Sequence, residues 1–279
     1  MRIAIIGLGG IGASVGLALR HEALDSAVIG YDTAPDTLDT ALQLGAIDHP
    51  AESVASCAGS DLIVIATPPM AVPAVFQQLA PHLRPDTVLT DVVSVKQPLL
   101  GWAQEFLPYP SRFVGGHPIA GTEQHGIRAA RAELFHGAVW ALTPAKQTDS
   151  DALQRVQAFV QTLRAVPLLI DAAQHDREFA LLSFVPHAIA FSLAAIHREN
   201  PTTLQGGSSW HSATRVAQSD PALWTQLMTL NCEPTRLWLD QLLKRLQQIA
   251  SALSRGDSDA LQRLLQGAPI GTPPDSANP

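Results

Sequence analysis

The N-terminal run "RIAIIGLGGIGASVGLALR", Arg2 to Arg20, restricts the fold more than any other part of the chain. An apolar segment stops at Gly7, and Gly9 and Gly12 then lead into Ala-, Val- and Leu-rich sequence that suits a helix. A strand that passes through G-x-G-x-x-G directly into a helix is the opening of a βαβ unit. More β-branched, apolar runs follow at "SAVIGYD", "DLIVIATPP", "TVLTDVVSVK" (Thr87 to Lys96), "RFVGGHP" and "AVWALTP", separated by helix-like stretches. Such runs suit parallel strands covered on both faces. The expected class is therefore α/β, with an N-terminal Rossmann-like, doubly wound, mostly parallel sheet.

Strand-like runs end after "LLID", Leu168 to Asp171. The remainder reads as helices over Ala172 to about Asn200 and Pro221 to about Arg255, with a break through "NPTTLQGGSSW" and a short helix at "SDALQRLLQ". In "TRLWLDQLLKRLQQIASAL" Leu237, Leu239, Leu242, Leu243, Leu246 and Ile249 fall mostly at three- and four-residue spacing, as a helix requires. The domains expected are a dinucleotide-binding unit at 1–171 and an all-helical substrate and dimerisation unit at 172–266. The Pro/Gly-rich tail at 267–279 is expected to be disordered.

With 46 % hydrophobic residues and only 15 % charged ones, the chain has much apolar surface to bury, part of it between two copies. The formal charge of -7 supplies no basic stripe, so neither nucleic acid nor an anionic membrane is an expected partner. Cys57 and Cys232 lie far apart in no metal-ligating spacing and suit the reduced thiols of a cytoplasmic protein. "FALLSFVPHAIAFSLAAI", Phe179 to Ile196, holds no charged residue over 18 positions. The Pro186 and His187 in its middle favour a helix buried in a domain or dimer over a membrane span.

In "GLGGIG", Gly7 to Gly12, the glycines make a tight turn, and the amides around Gly10 and Ile11 open a helix whose positive end suits a pyrophosphate. Asp32 ends the next strand 20 residues after Gly12, where a carboxylate grips ribose hydroxyls and repels a 2′-phosphate. NAD is the expected cofactor, ahead of NADP. Thr67, in "ATPP" at another strand's end, is a further candidate contact or simply a loop residue.

"GGHPIAGTE", Gly115 to Glu123, combines Gly-Gly with His-Pro, which reads as a loop presenting His117. Following a strand of the same sheet, His117 emerges near the nicotinamide site. There it either accepts the proton of an alcohol while hydride leaves the same carbon, or is merely satisfied by backbone.

"GHPIAGTE", together with "TDVVSVK", "GLGGIGAS", "VPHAIAFSL" and "TRVAQSDPALW", resembles the prephenate/arogenate dehydrogenase family of tyrosine biosynthesis, in order over residues 1 to about 250. The resemblance implies NAD-dependent oxidative decarboxylation of a cyclohexadienol in a cytoplasmic homodimer. It also implies His117 as the base on the ring hydroxyl and Ser94 as a second group holding that hydroxyl or ordering His117 and the nicotinamide. Arg215 would clamp a substrate carboxylate, with Lys96 a second candidate for that role; alone, Arg215 reads equally as a surface ion-pair residue. His187 would contact the substrate side chain, His175 matches a further histidine near the site, and Glu123 would gate the pocket or remain a solvated carboxylate. No metal is implied. Two departures stand out: Val93 precedes Ser94 where the family often has glycine or alanine, and Phe184 stands where it often has histidine. Two other readings remain: an NAD-linked dehydrogenase of another small acid or amine on the same plan, and an NAD-binding dimer without turnover.

Overall fold

The computed structural model describes residues 1–22, 26–121, 126–204 and 206–266. Glu123 and the 267–279 tail lie outside the described residues.

The first domain is a single eight-stranded sheet of order β3-β2-β1-β4-β5-β6-β7-β8. Its strands are β1 (Arg2–Ile6), β2 (Ala27–Tyr31), β3 (His49–Pro50), β4 (Leu62–Ile65), β5 (Val88–Asp91), β6 (Phe113–Pro118), β7 (Val139–Pro144) and β8 (Val166–Leu169). Every neighbouring pair is parallel except β6 and β7. The chain direction reverses where it doubles back from β6 to β7, and α5 (Ser150–Thr162) then carries it across to β8, parallel to β7.

Alternation along β1 shows why the strands are apolar throughout. Ile3 and Ile5 face a cluster with Val15 of α1 (Gly10–His21) and Val156 and Val160 of α5. Ala4 and Ile6 face the opposite cluster with Phe76 of α3 (Val72–Leu79) and Leu99 of α4 (Gln97–Phe106). Both faces are covered, so no strand position is free to be polar without a partner. α2 (Pro35–Gln43) links β2 to β3.

Two sequence expectations are corrected. Gly115 to Pro118 is not a loop but the end of strand β6, paired with β7 in the register Gly115↔Thr143 and His117↔Ala141. A Cβ on Gly115 would lie 2.4 Å from Thr143 Oγ1, and one on Gly116 2.5 Å from the Asp91 carbonyl oxygen. The glycines thus answer to close approach by neighbouring strands rather than to a turn. The run from Thr87 to Lys96 is strand only as far as Asp91, because the Asp91 carboxylate accepts the Val93 N–H at 2.9 Å and turns the chain there.

The helical half comprises α6 (Ala172–Phe179), α7 (Val185–Glu199), α8 (Ser208–Thr214), α9 (Pro221–Leu230), α10 (Cys232–Ser254) and α11 (Ser258–Gln266). Helix α8 begins within the stretch expected to be a break and continues four residues beyond it. Between α6 and α7 the backbone widens into a π-helical turn over Ala180–Phe184, just before Pro186, where the missing proline N–H disfavours ordinary helix. Ala172–Glu199 is a continuous helical run of 28 residues, long and apolar enough to cross a membrane by length and composition. Phe184 and Leu227 join the core beside α3 and α4, fixing the helices to the sheet domain. Both cysteines are free, Cys57 buried and Cys232 exposed.

Candidate active site

The glycine turn after β1 separates two reasons for glycine. Gly7 has φ +95°, and a Cβ there would lie 2.5 Å from the Ala66 carbonyl oxygen; at Gly12 a Cβ would come within 1.9 Å of the Gly7 carbonyl oxygen. Those two serve the fold. Gly9 differs, because a Cβ there would meet nothing within 4 Å. Its bare backbone leaves a cradle open at the start of α1, where no side chain caps the helix and the first turn holds no acid. Gly10 and Ile11 begin that turn. Asp32 stands at the tip of β2 with one carboxylate oxygen accepting Leu8 N–H at 2.8 Å and the other Ala34 N–H at 3.0 Å. The carboxylate is thereby locked against the glycine turn. Across the turn the Thr67 hydroxyl is buried with no protein partner among the described residues. An open cradle, an uncapped helix start, a fixed carboxylate and an orphaned hydroxyl fit a dinucleotide whose ribose keeps its 2′-hydroxyl.

His117 sits near the carboxyl end of β6, beyond the end of β5, on the sheet edge that also carries the glycine turn. It is 6 % exposed. Its Nδ1 lies 2.9 Å from His175 Nε2, and His175 Nδ1 lies 2.8 Å from Asp176 Oδ1. Asp176 also accepts Lys96 N–H at 2.8 Å and Gln97 N–H at 2.9 Å, so it holds the start of α4 as well. The Phe179 ring stands 4.6 Å from His117 and stacks on His175 at 4.8 Å and 14°. Burial first, then His175, then the Lys96 charge push the His117 pKa well below 6.5. His117 is therefore a neutral imidazole.

Beneath it, Lys96 and Asp91 form a fully buried ion pair. Lys96 Nζ also donates to the Gly116 carbonyl at 2.6 Å, and Asp91 accepts Gly116 N–H at 2.9 Å. Burial raises the carboxylate and lowers the ammonium, each opposed by its partner's charge. This corrects the expectation for Lys96: it is 0 % exposed and braces the backbone before His117, with no ammonium to offer a substrate. His175 is likewise enclosed, a partner of His117 rather than a wall of an open pocket.

The remaining expected residues stand in the β5–α4 turn and in the helical half. Ser94 is half-buried in the turn between β5 and α4, two residues before Lys96. His187 is half-buried on α7, donates from Nδ1 to the Ser183 carbonyl at 2.9 Å, and stacks on Trp224 of α9 with ring centroids 3.5 Å apart. Its pKa is lowered by burial, countered by the bond to Ser183, and lowered again by the charge of Arg215. Arg215, exposed at the head of the one-turn segment Arg215–Gln218, is thus close to His187. Val93 is buried in the sheet-side core, and Phe184 packs edge-on against Trp224 at 5.4 Å. Asp91, Asp176, Phe179 and Trp224 were not singled out from sequence. Asp91, Phe179 and Trp224 lie inside quoted stretches and Asp176 beside His175 in "QHD", but none of the four was given a role.

A nucleotide cradle on one sheet, a neutral imidazole at the same edge and a helical domain supplying its partners define a two-domain, dinucleotide-dependent dehydrogenase. Family models agree on both halves. Residues 15–169 match the prephenate dehydrogenase nucleotide-binding domain, and residues 171–267 match the prephenate dehydrogenase dimerization domain. The chain belongs to the prephenate dehydrogenase family. It is 30 % identical to the prephenate dehydrogenase of Bacillus subtilis, covering 95 % of this chain and 74 % of that one. It is 32 % identical to the cyclohexadienyl dehydrogenase of Zymomonas mobilis, covering 93 % and 90 %. Among solved structures it resembles prephenate dehydrogenase from A. aeolicus in complex with hydroxyphenyl propionate and NAD+, at TM-score 0.88 and 30 % identity over 95 % and 94 % of the two chains. It also resembles Synechocystis arogenate dehydrogenase, at TM-score 0.79 and 29 % identity over 95 % and 96 %.

Proposed function

We propose that this chain carries out NAD-dependent oxidative decarboxylation of prephenate, arogenate or both. The products are 4-hydroxyphenylpyruvate or tyrosine, carbon dioxide and NADH. NAD, when bound, supplies the hydride acceptor. Gly9, Gly10 and Ile11 offer backbone to its pyrophosphate, Asp32 the ribose contact that disfavours a 2′-phosphate, and Thr67 a buried hydroxyl with no partner among the described residues.

His117 takes the proton of the C4 hydroxyl as the C4 hydride departs. The ring carboxylate then leaves as carbon dioxide, its bonding pair completing the aromatic ring. A neutral imidazole can accept that proton, which a protonated one cannot, and the burial that keeps it neutral also excludes water. Ser94 holds the same hydroxyl, Arg215 pairs with a substrate carboxylate, and His187 contacts the side chain. The observation that carries this reading is the buried His117, bonded to His175, at the edge of the sheet that holds the nucleotide cradle.

Formation of NADH on mixing with prephenate or arogenate, with NAD and NADP in parallel, tests it directly. His117→Asn should lower kcat by about 10²–10⁴ with little change in KM, as for a lost general base. NAD binding without turnover of either substrate would refute the reading.

The active form is a cytoplasmic homodimer joined through the helical half. In the single chain α10 leaves Leu243, Leu246 and Leu253 exposed on one face. A second copy would cover that face, as the family's dimerization domain implies. A monodisperse monomer at micromolar concentration in light scattering would contradict this.

A further inference from the structure

We infer that His175 and Asp176 are positioning residues that fix which nitrogen of His117 carries its proton. The inference rests on the reading of His117 as the base. Its starting point is Asp176, whose Oδ1 accepts Lys96 N–H and whose Oδ2 accepts Gln97 N–H. A carboxylate engaged by two backbone donors has only lone pairs to turn toward His175. At 2.8 Å from Oδ1, His175 Nδ1 must therefore carry a hydrogen, because the other tautomer would set lone pair against lone pair. With its single ring hydrogen on Nδ1, His175 has a lone pair on Nε2. That atom lies 2.9 Å from His117 Nδ1, so His117 in turn carries its hydrogen on Nδ1 and donates.

The far nitrogen of His117, Nε2, is left as a lone pair. This is the form that can accept a hydroxyl proton; the opposite tautomer would present a donor to the substrate and could not act as base. When Nε2 takes the proton, the positive charge on His117 is linked through His175 to the Asp176 carboxylate, which offsets the unfavourable field of Lys96. Phe179, stacked on His175 and edge-on to His117, holds both rings in the planes these bonds require.

The side chain of Asn231 donates to the Asp176 backbone carbonyl at 2.8 Å, anchoring the relay from the start of α10. The ordering device for the base therefore comes from the helical domain, although the base itself stands on the sheet.

Nitrogen-15 NMR of histidine-labelled wild-type protein, without substrate, reads the tautomers directly. His117 and His175 should both show protonated Nδ1 and bare Nε2. A hydrogen on His117 Nε2 would overturn the inference whether or not the enzyme turns over prephenate. Conversely, the expected tautomers with no turnover would sink the functional reading alone. His175→Phe keeps the ring and its stacking but removes the acceptor, so kcat should fall by about 10²–10⁴ with KM little altered. His175→Gln, whose amide oxygen can accept from His117 Nδ1, should recover kcat to within about tenfold of wild type. Near-normal kcat in His175→Phe, or equal losses in the two variants with both folded by thermal melting, would also overturn it.

Discussion

Replacing Lys96 by methionine separates a bracing role from a substrate-binding one. The side chain keeps its length and apolar stem, but Asp91 loses its counter-charge while remaining fully buried. Two acceptor contacts survive on that carboxylate, from Val93 N–H and Gly116 N–H at 2.9 Å each, and the Gly116 carbonyl loses its 2.6 Å donor. Stranding one member of a buried ion pair costs about 3–5 kcal/mol. At roughly 2–4 °C per kcal/mol for a chain of this order of size, the melting temperature should fall by about 6–20 °C. The loss should also depend on pH in a definite sense. Burial already raises the Asp91 pKa and Lys96 opposes that rise, so without Lys96 it climbs further. Between the unfolded and folded pKa values the folded variant then binds the extra proton, and its stability declines as pH increases. Thermal melts at about pH 5 and about pH 8 should show the larger deficit at the higher pH. Adding Asp91→Asn removes the stranded charge, keeps one acceptor for the backbone amides, and should restore part of the loss. A deficit below about 1 kcal/mol, the scale of a solvated pair, would refute the bracing role. So would unchanged melting with a raised KM, which would return the ammonium to the substrate pocket.

Gly9→Ala should melt within about 0.5 kcal/mol of wild type yet weaken NAD binding, whereas Gly12→Ala should destabilise the fold itself. Calorimetry with and without NAD distinguishes them, and equal folding defects would refute the open cradle. The depressed His117 pKa means that the unfolded chain binds a proton the folded one refuses, so stability is full above about 6.5 and lost as pH falls toward the folded value. The slope approaches about 1.4 kcal/mol per pH unit for one such group, and His117→Asn should flatten the urea-unfolding profile over that window. An unaltered profile would place the imidazole in solvent. Arg215→Ala should chiefly raise KM for the cyclohexadienyl acid, and an unchanged KM would remove it from substrate binding.

The succession of strands and the doubly wound class were legible because their evidence is local: each apolar run is bounded by its own breakers, and the glycine turn fixes where the first crossover begins. Gly115 and Gly116 were misread for the same reason. Local rules score glycine and proline as turn formers, while the cause of these glycines is Thr143 and Asp91, which approach from other strands. Lys96 was misjudged because lysine is ordinarily solvated, and the carboxylate that draws it inward lies across a turn that no periodicity marks. His117 and His175 were each chosen as candidates, but their contact joins residues 58 positions apart and depends on how α6 docks against β6. Asp176 had only adjacency to recommend it. The candidate residues could thus be picked out one by one, while the contacts among them could not.

Asp176 belongs to the helical half, yet it grips the backbone amides of Lys96 and Gln97 at the head of α4 in the sheet half and leads through His175 to His117. Neither half owns the chemistry. Severed from its helices, the nucleotide fold would carry an imidazole free to spin and choose its own hydrogen. Swinging the halves apart would likewise uncock the base, so the clasp has to be shut at the moment the hydroxyl gives up its proton.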